Sequence, residues 1–466
     1  MTSDAAPPPS PLPLAIGPRR LHFAAAVGEA LGALRDVAVP LLIGLVVRGT
    51  GSSTSAILIG LAGALGAAVI GTIRWQATSY AVTDRALHFK SGVFSPDETV
   101  VPLQRIQAVD TVTGPVQRLF GVSGLHVQTP GGGEDGDVVL PALSRRAAAR
   151  LRAALGHPDT GTAGLHVRLT AGRLVAAALT SPQLGVLLPV VGGAFGLLQS
   201  SSMAEGVRLL RDIDTWHQVL VALALLLAAA FLVSFLGALI AFSGFEVRMV
   251  DDRLRIRRGF WERRAVSVPL ARIDGVQIVS SPLRRPFGLV ALRLEATSLG
   301  EREAVGRTLF PLMRQDEVGP FLARVAPELA GPLTTTERPP RRALRRFLTA
   351  RVAIALALSA VLVALAPSAW PAAPALIAIA IVFGIDAYNL AGLRVDGPRV
   401  VLRTRRLGSR VTLIARRRRL QSHALSRTPF QRHAGLATLA VTVARGTRVH
   451  VRHLERPPAR RAFDEL

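Results

Sequence analysis

The chain has 466 residues, a formal net charge of +25 and no cysteine. Disulfides, thiolate metal sites and a cysteine nucleophile are therefore excluded. Half of the residues are hydrophobic but only 5% are aromatic. Because Ala, Leu and Val occur in long runs, this pattern indicates lipid-facing helices rather than one large soluble core. A basic excess of this size is typical of proteins that meet anionic lipid or nucleic acid, or that follow the positive-inside rule.

The chain begins with a proline-rich segment, residues 1–20, which has no basic stretch followed by an apolar one. It predicts a disordered cytoplasmic tail rather than a signal peptide. Apolar runs then follow in pairs, and we expect six transmembrane helices in three hairpins, over 21–73, 165–244 and 347–390. The last pair comes from 34 uncharged residues, Val352 to Ile385, with prolines in the middle. One helix of that length would far exceed a hydrocarbon core of about 30 Å.

Each hairpin is followed by a polar, strand-like block, at residues 74–157, 245–330 and 391–466. A basic linker, 331–346, precedes the third hairpin. The short connections inside the hairpins hold only three of the 56 basic residues, namely Arg48, Arg208 and Arg211. The positive-inside rule therefore places the N-terminus and all three blocks in the cytoplasm.

The three blocks repeat one another. A shared arginine is followed after ten residues by a proline, and after six more by a glycine. The three sets are Arg105, Pro115 and Gly121; Arg272, Pro282 and Gly288; and Arg419, Pro429 and Gly435. Identical spacing in three places is a strong repeat signal.

Alternating hydrophobic residues predict short antiparallel strands within each block, punctuated by turn residues. The first block ends in a predicted helix, Ser144 to Leu155, with Ser144 as its N-cap. The third block stops so soon that its last helix is expected to be short or missing. Each block should therefore be a small antiparallel sheet or half-open barrel, closed by a helix in at least two of the three.

The three Arg–x9–Pro–x5–Gly frames resemble the YdbT-like bacterial membrane proteins, which carry bacterial pleckstrin-homology (PH) domains on transmembrane hairpins. The strands Leu87–Phe94 and Leu254–Trp261, which run into a glycine–aromatic step, belong to the same resemblance. The third repeat departs from it, because no aromatic residue follows Gly408.

The resemblance implies a multi-pass α-helical membrane protein with three α+β PH-like domains. It further implies a non-enzymatic protein with a role in envelope stress or in resistance to membrane-active peptides. The expected protein partner is either a smaller PH-domain membrane protein of the same family or a second copy of this chain.

The repeated residues have two interpretations. The arginines Arg105, Arg272 and Arg419 could bind a phosphate, because a guanidinium suits phosphate bidentately. Recurrence at one position in all three repeats favours a structural role instead. The prolines and glycines of the frames are interpreted as turn and bulge positions.

The most basic sequence is Arg416, Arg417, Arg418 and Arg419, in a third block with 18 arginines and four acids, a net charge of +14. Beside a membrane such a cluster attracts anionic lipid, so these four arginines are our candidate headgroup contacts. We expect little preference among headgroups of equal charge. The same charge would attract nucleic acid, but no interleaving of arginine with aromatic residues supports that interpretation.

Charged residues near the predicted spans are Glu29, Arg35, Asp36 and Asp386. Intramembrane charges suggest transport or proton relay, yet all four lie toward helix ends, where an interfacial position explains them. His450 and His453 alternate on a predicted strand and make a poor metal site.

No catalytic, cofactor or metal constellation emerges, and we predict no enzyme. The favoured function is a plasma-membrane protein that presents three cytoplasmic PH-like domains as a protein and lipid interaction platform. The alternatives are a transporter or channel component and a membrane-tethered nucleic-acid binder.

Overall fold

The computed structural model describes twelve stretches of the chain. They are residues 16–32, 53–92, 97–106, 108–129, 138–155, 163–180, 216–260, 263–296, 308–365, 370–406, 408–443 and 447–466.

The described residues form twenty strands and ten helices whose bounds follow, and residues 24–32 are also helical. The strands are β1 (Ile16–Arg20), β2 (Ser79–Val82), β3 (Ala86–Ser91), β4 (Asp97–Pro102), β5 (Ala108–Thr113), β6 (Val122–Gln128), β7 (Val138–Ser144), β8 (Ala163–Arg168), β9 (Glu246–Val250), β10 (Arg253–Arg258), β11 (Arg263–Pro269), β12 (Ile273–Ser280), β13 (Leu289–Ala296), β14 (Thr308–Arg314), β15 (Gly392–Asp396), β16 (Arg399–Arg406), β17 (Ser409–Arg416), β18 (Leu420–Ser426), β19 (Leu436–Val443) and β20 (Thr447–Glu455). The helices are α1 (Ser53–Gln76), α2 (Pro115–Leu119), α3 (Arg145–Ala154), α4 (Ala171–Leu179), α5 (Trp216–Phe242), α6 (Val318–Val325), α7 (Ala343–Leu365), α8 (Ala372–Leu390), α9 (Pro429–His433) and α10 (Arg456–Glu465).

The chain forms two compact units. The first comprises residues 1–164, 183–251 and 255–267, and the second comprises 165–182, 252–254 and 268–466. In the first unit, β1-β2-β3-β4 form one sheet, and β7-β6-β5-β11-β10-β9 are consecutive neighbours in another. Leu87 and Val101 from the first sheet share a core with Leu125 and Leu140 from the second, on which Leu151 of α3 also packs. The first repeat is thus two packed antiparallel layers with a helix.

Strand β1 corrects the predicted tail. Residues 1–20 were expected to be disordered, but Ile16–Arg20 pair with β2, where Arg19 lies opposite Tyr80. Strand β2 offers this segment a row of backbone hydrogen-bonding groups, and polar composition alone does not reveal such a partner.

In the second unit, β14-β13-β12-β17-β16-β15 form a six-stranded sheet and β18-β19-β20 a three-stranded one. Leu402 and Leu413 from the larger sheet face Leu439 and Val451 from the smaller one in a single core. The third repeat is therefore also a two-layer sandwich. Helix α4 packs into this unit, because the buried Arg284 donates from Nη2 to the carbonyl of Ala177 at 3.3 Å.

Neighbouring repeats share their sheets. The second half of repeat 1 (β5 to β7) is continued by the first half of repeat 2 (β9 to β11) through the pair β5·β11. The second half of repeat 2 (β12 to β14) is continued by the first half of repeat 3 (β15 to β17) through β12·β17. The antiparallel sheets and closing helices fit PH-like domains, but a whole sheet belongs to two repeats rather than to one.

Closing helices are present in all three repeats, although they were predicted with assurance only for the first two. Ser144 caps α3 by accepting a hydrogen bond from the Ala147 amide at 3.2 Å, as predicted. The expectation of a short or missing last helix was wrong, because α10 has ten residues, as α3 has. Prolines at its first turn start this helix, since a proline there lacks only an N–H that would remain unpaired.

Two described helices are long and apolar enough to cross a membrane, Ala343–Ala364 within α7 and Ala372–Leu390, which is α8. They coincide with the third predicted hairpin. Helices α1 and α5 lie in the second and fourth predicted spans, whereas most of the first and third spans fall outside the described residues. The six-helix topology therefore stays a prediction.

Candidate functional site

A buried carboxylate near the end of α8 holds three arginines. Asp386 is 9% exposed and lies one turn before the helix ends. Arg285 binds both of its oxygens, with distances of 2.6 Å from Nη2 to Oδ1 and 3.1 Å from Nη1 to Oδ2. Arg405 and Arg410 also pair with it. One acid therefore joins a helix long enough to span the membrane to arginines from the second and third repeats.

Arg405 is the most deeply buried member of this cluster, with 5% of its side chain exposed. Its guanidinium lies 3.8 Å from the ring centroid of Phe383, one turn back along α8, and donates to the carbonyl of Gly408 at 2.9 Å. The pKa of Arg405 is lowered to about 10, chiefly by burial; the charge of Asp386 opposes this shift, and the charges of Arg285, Arg351 and Arg410 favour it. The site is thus positively charged and only partly neutralised by Asp386.

A cavity of about 250 Å³ opens beside the cluster, along the junction β12·β17. Arg285, Arg403 and Arg410 line it, together with hydroxyl groups such as that of Thr334. The last residue of α8, Leu390, contributes apolar surface at the same cavity. None of the lining residues is acidic. This combination of several donors and an apolar wall suits an anionic group attached to a hydrocarbon.

Arg403 is the clearest sign that the cavity suits an anion. Its Nε is buried and has no hydrogen-bond acceptor among the described residues. Burial lowers the pKa of Arg403, and the charges of Arg410 and Arg338 lower it as well. A half-buried cation with a buried, unused donor is costly unless an anion compensates it. Phosphate oxygens would do so, since a guanidinium binds phosphate through two parallel hydrogen bonds.

The repeat frames build exposed apolar loops. Each frame glycine has a left-handed backbone, with φ of 65° at Gly121, 61° at Gly288 and 66° at Gly435. The segments that precede these glycines carry large exposed side chains. These are Leu119 (82% exposed), Leu283 (59%), Phe287 (70%) and Phe430 (70%).

The loops of repeats 2 and 3 lie next to the ends of the two long apolar helices, α7 and α8. Arg285, in the same 3₁₀ helix as Phe287, binds Asp386 of α8. Phe430 lies under the guanidinium of Arg346, in the first turn of α7, at 5.8 Å from the ring centroid. Large apolar side chains beside the ends of membrane helices are typical of interfacial anchors.

The frame arginines Arg105, Arg272 and Arg419 each end a 3₁₀ helix after the last strand of the first half of their repeat. Pro115 and Pro429 are the first residues of α2 and α9, and Pro282 lies in the corresponding turn of repeat 2. None of the frame arginines lines the cavity described above. Their structural role remains the favoured interpretation and stays untested.

The predicted headgroup contacts lie at a different place. Arg416 is mostly covered, with Nε 3.1 Å from a carboxylate oxygen of Glu328. Arg419 donates from Nη2 to the carbonyl of Ala271 at 3.3 Å, whereas Arg417 is half-buried and Arg418 is exposed. Two of the four arginines therefore contact the neighbouring repeat. Whether any of them contacts lipid stays a prediction.

The histidines of β20 do not share a site. His453 packs edge-on against Phe347 with the ring centroids 5.0 Å apart, and its Nδ1 is 3.0 Å from Nε2 of Gln431. Burial lowers the pKa of His453 to about 4, and neighbouring arginines act in the same direction. Within the described stretches, no group of three His, Cys, Asp or Glu residues could hold a metal ion. Of the other charges near the spans, Glu29 is described, whereas Arg35 and Asp36 fall outside the described residues.

Sequence reasoning noticed Asp386 but missed its partners. A single acid at the end of a long uncharged run was the available signal, and it was interpreted as an interfacial residue. Arg285, Arg405 and Arg410 gave no local signal, because arginine is common throughout this chain.

Comparison with known proteins shows the family to which the chain belongs. The model of the family described as Bacterial PH domain matches residues 31–158, 186–328 and 344–466. The chain belongs to this family and is a membrane protein with three bacterial PH repeats. It is similar to the transmembrane protein YdbT of Bacillus subtilis (strain 168), with 27% identity over 403 residues and 80% of each chain covered. No solved structure matches the chain. The resemblance seen in the repeat frames is thereby confirmed.

Proposed function

We propose that this protein is an interaction platform at the cytoplasmic face of the cell membrane, whose cavity beside Asp386 binds the phosphate of an anionic lipid headgroup. The observation that carries the proposal is the cavity lined by Arg285, Arg403 and Arg410 at the end of α8. Three arginines pair with the single carboxylate of Asp386 and Arg403 lines the adjoining cavity, so a bound phosphate would balance charge that Asp386 leaves uncompensated. No catalytic step is part of this proposal.

A lipid is favoured over a free anion by the surroundings of the cavity. Leu390 at its wall is the last residue of a helix long enough to cross the membrane. Phe287, on the loop that carries Arg285, is 70% exposed. A headgroup in the cavity would therefore have apolar surface nearby for the start of its acyl chains. Burial of apolar surface would add to the charge-assisted hydrogen bonds.

The test is native mass spectrometry of the detergent-purified, delipidated protein during titration with three lipids. Phosphatidate carries a phosphomonoester, phosphatidylglycerol a phosphodiester and phosphatidylcholine no net charge. We expect the order of affinity to follow that sequence, because a monoester offers more oxygens to the arginines. Arg403→Gln should weaken phosphatidate binding about tenfold, the effect of losing one charge-assisted hydrogen bond.

Arg461→Gln is the matched control, since it removes the same charge from a side chain that is 70% exposed on α10. Its effect should stay below about twofold. The proposal would be contradicted if the two variants lost phosphatidate affinity equally. It would also be contradicted if wild type bound phosphatidylcholine as tightly as phosphatidate. Inorganic phosphate that displaces phosphatidate at equal concentration would show that a soluble anion is the ligand instead.

The proposed orientation has its own test. The three-arginine count in the hairpin connections predicts that Met203 and Pro371 are extracytoplasmic and Gly300 cytoplasmic. Met203 and Gly300 lie outside the described residues. Single cysteines introduced into this cysteine-free chain should react with an impermeant maleimide in intact cells at Met203→Cys and Pro371→Cys only. Labelling of Gly300→Cys in intact cells would contradict this topology.

Within this proposal, a link to envelope stress or to resistance against membrane-active peptides would operate through the anionic headgroups. Peptides of that kind are attracted by the same negative lipids. That role, and a protein partner for the platform, stay predictions.

A further inference from the structure

Neighbouring repeats are joined by one kind of strand pair. Antiparallel pairing joins β5 to β11, with Thr113 opposite Arg263. Antiparallel pairing also joins β12 to β17, with Ser280 opposite Arg410. In each case the first strand of the second half of one repeat meets the last strand of the first half of the next repeat.

The two junctions have the same register. Ser280 lies 167 residues after Thr113, which is the spacing from Arg105 to Arg272. Arg410 lies 147 residues after Arg263, which is the spacing from Arg272 to Arg419. Equivalent residues are therefore opposite one another at both junctions. The repeat has a defined way of extending its sheet into the next repeat.

In the described part of the chain, two strands that correspond to these junction strands lie at the edge of a sheet. Strand β18 occupies the position of β5 and β12 in its repeat, and it is the terminal strand of its sheet. Strand β4 occupies the position of β11 and β17, and it is also a terminal strand. Four of the six residues of β4 are exposed, as are three of the seven of β18. Open edges of this kind present unpaired backbone groups to another strand.

The two edges are complementary in charge. Strand β4 begins with Asp97 and Glu98. In an antiparallel pair the start of β4 faces the end of β18, where Arg427 follows the strand. Opposite charges at this end of the strand pair favour one register and one partner.

We propose that two copies of this chain associate head to tail, with β18 of one copy paired antiparallel to β4 of the other in the register of the internal junctions. Transfer of that register places Ala424 opposite Thr99, and Ser426 opposite Asp97. The series of repeats then continues from one chain into the next. Because the contact is heterologous, it closes into a ring or extends into an open chain of copies. The inference does not depend on lipid binding in the cavity.

Disulfide trapping in native membranes tests the proposal directly, because the chain has no cysteine of its own. Thr99→Cys and Ala424→Cys are placed in separate, differently tagged copies that are expressed together. Directly opposite residues lie about 4.5–5.5 Å apart between Cα atoms, within the range of a disulfide. We expect mild oxidation to give a mixed dimer that carries both tags.

The matched control pairs Thr99→Cys with Ser426→Cys, two residues out of register, where the distance of roughly 7–8 Å is too long for ready closure. Its yield of mixed dimer should be several-fold lower. A third arm places both cysteines, Thr99→Cys and Ala424→Cys, in one chain.

Three results would overturn the proposal. One is the absence of a mixed dimer from variants that reach the membrane at wild-type levels. Another is efficient closure within the doubly substituted chain without any mixed dimer. The last is trapping of Ala424→Cys on a different protein instead of on a second copy.

Discussion

The third repeat contributes to two arginine clusters that differ in almost every physical respect. Arg403, Arg405 and Arg410 are joined by Arg285 around a buried acid and a cavity at the end of α8. The run from Arg416 to Arg419 does not line that cavity, and its first and last members contact residues of the preceding repeat. The denser cluster in the sequence is therefore the less enclosed one in the structure. Local charge density indicates attraction to a surface, whereas burial and unused donors indicate a binding site.

The largest effect should follow from removal of the acid that holds the cavity cluster together. Asp386→Asn leaves Arg285, Arg405 and Arg410 without their shared counter-charge. Breaking a buried ion pair in this way costs about 3 kcal/mol of unfolding free energy. The expected result is a lower midpoint of thermal unfolding for the purified full-length protein.

Asp464→Asn is the control for that measurement, because Asp464 pairs with Arg460 on the exposed α10. Its midpoint should stay close to wild type. Added phosphate should partly restore Asp386→Asn, since an anion in the cavity replaces the missing carboxylate. Equal unfolding midpoints for the two variants would show that the arginine cluster around Asp386 does not stabilise the fold.

The second effect concerns the exposed apolar loops of repeats 2 and 3, which we expect to contact the membrane. An environment-sensitive fluorophore on Phe287→Cys or Phe430→Cys should emit at shorter wavelength in lipid bilayers and be quenched by spin-labelled lipid. The same fluorophore on Arg461→Cys should show neither change. Each large apolar side chain contributes roughly 1–2 kcal/mol when it leaves water. Equal quenching at the three positions would show that the loops do not contact the membrane.

How much of this architecture the sequence predicted depends on the range of the interaction. The repeat frames were predicted because their spacing is local and identical, and the glycines of all three have the same left-handed backbone. The sharing of sheets was not predicted. Strand β12 has the same alternating pattern whether it pairs with a strand of its own repeat or with β17 of the next one, so the pattern leaves the partner open.

The cavity cluster shows the same limit more sharply. Asp386 lies 101 residues from Arg285 and 24 from Arg410. Nothing in the local sequence of either arginine distinguishes it from the other basic residues. Their meeting depends on the junction β12·β17, which places Arg410 opposite Ser280, at the edge of the cavity. The site could be found only once the pairing of the sheets was known.

The smallest effect is a dependence on pH at the core of the third repeat. The pKa of His453 is lowered to about 4, chiefly by burial, so the folded protein holds this imidazole neutral where the unfolded chain takes up a proton. Stability should therefore decline as the pH falls from about 6.5 towards 4. His453→Asn removes the titration and tolerates the positive φ of 60° at this position. Thermal unfolding between pH 7 and 4.5 should show a smaller decline for the variant, and an identical decline would contradict this assignment.

The difference between the two arginine clusters is tested most directly by the salt dependence of phosphatidate binding to the purified protein. Exposed charges are screened within about 8 Å at physiological ionic strength, and a buried site is screened much less. Wild type should retain a tight component of binding at high salt. Joint substitution of Arg416 to Arg419 by Gln should leave that component intact and weaken only the salt-sensitive part, whereas Arg403→Gln should weaken the tight component about tenfold. Loss of all binding at high salt, or loss of the tight component in the Arg416–Arg419 variant alone, would contradict the account.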